Sequence, residues 1–155
     1  MKYILILIFL FAFRCTLFSQ DSADIYISRL GWESIFIKTT YSSQLVMNKE
    51  SERLIGLKDK KIILKLFNEI ENPNKTVIIH SILSRTFGID NFAVSHQVLY
   101  EKDSVAVVKY QFNNLRWYFD IAKNRFRIDD CEIQAIKSYW KQELLRIGKL
   151  SFRYP

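Results

Sequence analysis

Cysteine, glycine and proline are all scarce in this chain, and each shortage removes a class of explanation. Two cysteines among 155 residues cannot build the disulfide framework of a small secreted scaffold. Four glycines and two prolines leave little room for linkers or low-complexity sequence. No internal repeat is present, which argues against a solenoid. The G-x-S-x-G, P-loop, dinucleotide, H-E-x-x-H and C-x-x-C patterns are missing too, so no catalytic signature is legible and no cofactor or metal is expected.

What is present begins with an apolar leader. Lys2 supplies a positive start, Tyr3 to Phe13 is an unbroken apolar run, and Ser19 offers a small residue before Gln20. This is the pattern of a cleavable signal peptide over 1–19. The run is shorter than the ~20 apolar residues a membrane span requires, and Arg14 interrupts it. The expectation is an exported protein, periplasmic or secreted, with one α+β domain over 20–155. Cys15 would leave with the leader, and Phe13 and Arg14 are too bulky to precede a lipidated cysteine. Cys131 then has no internal partner, which leaves a disulfide-linked homodimer as its alternative use.

The formal charge of +7 includes Lys2 and Arg14, so the exported part carries a smaller surplus. An acidic protein or an anionic envelope component suits that surplus better than nucleic acid, which is not an expected partner outside the cytoplasm. The basic tail from Lys149 to Pro155 is also compatible with weak association with a membrane surface.

Residues 20–50 are ambiguous. Ile25, Ile27, Ile35 and Ile37 alternate like strands, whereas Trp32 and Phe36 fit a helix equally well. Three helices should follow. Ser51 with Glu52 starts a short one that stops at Gly56. Asp59 caps the second, Lys60 to Glu71, with Ile62, Ile63, Leu66, Phe67 and Ile70 on one arc. The third, Lys75 to Phe87, ends at Gly88. The short Asn72-Pro73-Asn74 break between the last two predicts an antiparallel pair.

Residues 97–128 read as a four-stranded antiparallel meander turning at Lys102-Asp103, Asn113-Asn114 and Lys123-Asn124. The implied register pairs Val98 with Val107, Tyr110 with Trp117, and Phe119 with Ile128. One face collects Ala106, Val108, Tyr110, Phe112, Leu115, Trp117, Phe119, Ile121, Phe126 and Ile128, and must be core. A last amphipathic helix should cover it. Asp129 and Glu132 suggest a capping box, and Ile133, Ile136, Trp140, Leu144 and Ile147 form its apolar stripe.

The other sheet face is the candidate site. It should carry Tyr100, Lys109, Arg116, Tyr118, Asp120 and Arg127, with His96 nearby. Tyrosines mixed with cations suit an anionic or sugar-like ligand or an acidic protein surface. The competing view is that the N-terminal segment covers this face. The functional expectation is a non-catalytic binding or accessory protein of the cell envelope. The alternative is a small secreted hydrolase using His80 or His96 with a nearby carboxylate. His80, on the apolar arc of its helix, more simply reads as a hydrogen-bonded core residue.

Overall fold

The computed structural model describes residues 22–39, 43–89, 93–101 and 104–149. The expected leader 1–19, the Lys102-Asp103 turn and the tail beyond Lys149 lie outside the described residues. The fold is α+β, with helices in the N-terminal half, a four-stranded antiparallel sheet and a C-terminal helix packed on it.

The ambiguous stretch resolves into both candidate structures. Residues 22–28 are helical (α1), so Ile25 and Ile27 belong to a helix rather than a strand. A 3-10 turn, Trp32–Ser34, then leads into a hairpin of β1 (Ile35–Thr39) and β2 (Ser43–Met47). Ile35 faces Met47 and Ile37 faces Leu45, and the buried residues of β2 alternate as a half-buried strand requires.

Helix α2 (Lys49–Glu52) begins two residues earlier than expected, because the Asn48 side chain accepts from the Ser51 amide and caps it. Helix α3 (Lys60–Asn68) starts as expected: Asp59 accepts from the amides of Lys61 and Ile62. Helix α4 (Thr76–Phe87) ends at Gly88, whose φ of 68° is the left-handed stop that glycine adopts without strain. Ten of the twelve α4 residues are buried, so this helix is the spine of the core. One hydrophobic cluster runs from Ala23 and Ile27 through α3 and α4 to Phe112, Trp117, Trp140 and Leu144.

The sheet is ordered β3-β4-β5-β6, with β3 Ser95–Glu101, β4 Ser104–Phe112, β5 Leu115–Asp120 and β6 Arg125–Arg127. The central hairpin has the expected register: Phe112 opposite Leu115, Tyr110 opposite Trp117, Val108 opposite Phe119. Its turn residue Asn113 takes φ 51°, a conformation asparagine tolerates better than most.

The outer pairings differ from expectation, for two local reasons. Tyr100 pairs with Val105 but Leu99 pairs with Val107, so Ala106 is an extra residue on β4. This bulge moves Val98 opposite Val108 and reverses the facing of β3 beyond it. On the other side, Asp120 accepts from the Lys123 amide at 3.0 Å and closes a four-residue turn. Phe119 therefore meets Phe126, not Ile128, with rings 4.9 Å apart. A two-residue shift leaves each side chain on its expected face. Ile121, expected in the core, instead stands in the turn and is 42% exposed.

Helix α5 (Asp130–Arg146) lies over the inner face with Ile133, Ile136, Trp140 and Leu144 buried. No capping box forms. The Asp129 carboxylate takes Arg127 instead, and the Glu132 carboxylate accepts from the Arg116 amide at 3.2 Å. The two acids thus tie the helix start to β5 and β6. No described helix is long and apolar enough to cross a membrane.

Candidate functional site

The strand pairings place one residue per strand in a row across the outer face: Gln97 beside Lys109, Lys109 beside Tyr118, and Tyr118 beside Arg127. Cross-strand neighbours of this kind are in side-chain reach of one another. The Arg127 guanidinium sits 4.5 Å from the centre of the Tyr118 ring, a cation–π contact, and also donates to Asp129 at 2.9 Å. Lys109 is half-buried and makes no ion pair among the described residues. It is therefore the cation of this row with unspent charge.

The remaining expected residues divide. Arg116 projects from the same face, half exposed, but its guanidinium is held by the buried Glu132, and that hydrogen bond raises its pKa. It anchors the helix to the sheet before it can serve a ligand. Asp120 is 9% exposed and caps the β5–β6 turn, and the Lys123 amide lowers its pKa. Its role is structural. Tyr100 lies past the bulge and is 68% exposed.

His96 is the residue whose expected place changes most. The bulge sets it opposite Tyr110, on the Trp117 side of the sheet rather than the Lys109 side. It shares a 3.2 Å hydrogen bond between Nδ1 and the Ser43 hydroxyl, joining β3 to the β1–β2 hairpin. His96 and Lys109 still meet at one border hollow of about 230 Å³, which Gln97, Tyr110 and Gln111 also line. Gln97 is the residue that sequence reasoning missed, because a bulge leaves no signature in the alternation of a strand.

His80 is buried where α4 and α5 meet. Its Nδ1 accepts from the Trp140 indole at 2.9 Å, so the neutral ring carries its proton on Nε2. Phe112, Tyr139 and Trp140 surround it edge-on. Burial lowers its pKa to about 4, against which the Phe112 backbone offers a small opposing effect. No carboxylate hydrogen-bonds to either histidine among the described residues. Nor is there, among them, a group of three or more His, Cys, Asp or Glu able to hold a metal. Cys131 is exposed in the first turn of α5.

No protein-family model matches this chain, and no curated protein or solved structure shows significant similarity to it.

Proposed function

We propose that the protein is a small exported binding or accessory protein of the cell envelope, acting without catalysis, whose outer sheet face engages an acidic protein or anionic envelope component. The observation that supports this reading is the row Gln97–Lys109–Tyr118–Arg127. It offers, among the described residues, an unpaired ammonium, a phenol and a guanidinium shared with Asp129, in line across one sheet face. Placement by strand pairing matters because a pre-ordered surface loses little entropy on binding. Cation and aromatic together suit carboxylates flanked by apolar groups. The hydrolase alternative is less well supported, since His80 is enclosed by aromatic rings and His96 is bonded to a serine.

The test is capture from a cell-envelope extract by immobilised wild-type protein and by Lys109→Glu and Tyr118→Ala variants. A component retained by wild type and lost by both variants supports the reading. Equal retention by all three excludes this face. Exposed Cys131 adds a second expectation, a disulfide-linked dimer that disappears in Cys131→Ser under non-reducing electrophoresis.

A further inference from the structure

A second place on the molecule has the makings of a small-molecule site, and it shares little with the sheet row. Beside the edge strand β6 lies a cleft of about 490 Å³, within the roughly 300–1,000 Å³ usual for ligand pockets. Three separate parts of the chain build it. Trp32 comes from the 3-10 turn, Asn74 from the α3–α4 connection, and Asn124, Arg125, Phe126 and Arg127 from the end of the meander.

Its chemistry is one-sided. Two guanidinium groups line the cleft and no carboxylate does. Arg127 is already engaged by Asp129. Arg125 is different: it has no hydrogen bond or ion pair among the described residues. Asp120, which faces it across the strands, holds Lys123 at 3.3 Å and feels the Arg125 charge without bonding to it. The side-chain amides of Asn74 and Asn124 are likewise without partners among the described residues, and each offers both donors and an acceptor. The cleft is also lined by an aromatic pair, Trp32 stacked on Phe126 with centroids 5.1 Å apart and planes 19° apart. By contrast, the hollow lined by Asp24, Lys65, Glu69 and Lys75 carries both signs and is neutralised internally by the Lys65–Asp24 and Lys75–Glu69 pairs.

We propose that the β6 cleft binds an anionic sugar unit, with Arg125 taking the acidic group, Asn74 and Asn124 the hydroxyls, and Trp32 the apolar face of the ring. A free guanidinium forms paired hydrogen bonds with either carboxylate or phosphate. The indole supplies flat apolar area for the C–H face of a ring. The acid's source, a uronic acid or a sugar phosphate, is left to the experiment.

Trp32 provides the readout, because the other two tryptophans, Trp117 and Trp140, are fully buried. Purified protein is titrated with glucuronic acid, glucose 6-phosphate, glucose and inorganic phosphate while tryptophan emission is followed, with calorimetry in parallel. Glucuronic acid, glucose 6-phosphate or both should change the emission saturably, while glucose and phosphate at the same concentrations should not. The acid that binds more tightly identifies the source. Arg125→Gln should weaken that binding at least about tenfold, the cost of one charge-assisted contact, with an unchanged melting temperature. Trp32→Phe should abolish the emission change and weaken the calorimetric binding. Equal binding of glucose would remove the role of charge. Equal binding of inorganic phosphate would remove recognition of the ring. No response to any of the four, or an undiminished affinity in folded Arg125→Gln, overturns the proposal.

Discussion

The Trp140 indole donates to Nδ1 of His80 at 2.9 Å, and this bond joins α5 to α4. It requires His80 to accept, so the imidazole must stay neutral. Burial of the ring holds the His80 pKa at about 4, below its ordinary 6.5. Between those values the unfolded chain binds a proton that the folded protein refuses. The contribution is fully present above about pH 6.5 and is lost progressively as pH falls towards 4. The span corresponds to roughly 3 kcal/mol. Urea midpoints measured from pH 7.5 down to 4 should fall accordingly, and His80→Gln should flatten that part of the profile. An equally steep decline in folded His80→Gln would assign the acid sensitivity elsewhere.

Glu132 is buried and serves two groups at once, the Arg116 amide and the Arg116 guanidinium. Removing it leaves the Arg116 amide, which lies beyond the paired part of β6, without its acceptor, at a cost of about 1–3 kcal/mol. Thermal unfolding of Glu132→Ala should show that loss. Arg116→Glu should also destabilise, since it sets a second carboxylate against Glu132. Arg116 is therefore a poor position for a binding test that requires an unperturbed fold. An unchanged melting temperature in Arg116→Glu would show that the pair holds nothing together.

Asn113 sits at φ 51° in the two-residue turn between β4 and β5. Asn113→Gly should be neutral or slightly stabilising. Asn113→Val should cost about 1–2 kcal/mol, because a β-branched residue is strained at positive φ. The melting temperatures of the two variants check this. Equal values would contradict the turn geometry on which the register depends.

The central hairpin was legible because a two-residue turn leaves only one register that buries Phe112, Leu115 and Trp117 together. The stripe of α5 was legible for a similar reason: Ile133, Ile136, Trp140 and Leu144 recur with helical spacing. Other features depend on tertiary context. The bulge at Ala106 could not be seen, since Val105, Ala106, Val107 and Val108 are all acceptable in a strand. That bulge moved His96 away from the Lys109 face and brought Gln97 onto it. The capping box failed because Arg127 takes the Asp129 carboxylate and Arg116 takes that of Glu132. Ile25 and Ile27 are two apart yet helical, a spacing too short to separate one period from the other. The β6 cleft assembles Trp32, Asn74 and Arg125 from distant segments, and no linear pattern announces it.

In the proposed function Lys109 is the working cation of the outer face. Its most direct measurement is the affinity of the captured envelope component for wild-type protein and for Lys109→Glu, with both melting temperatures recorded. The expected result is at least about a tenfold loss of affinity, since reversing an interfacial charge replaces attraction by repulsion, and unchanged melting. Equal affinity of the two proteins for that component would contradict it.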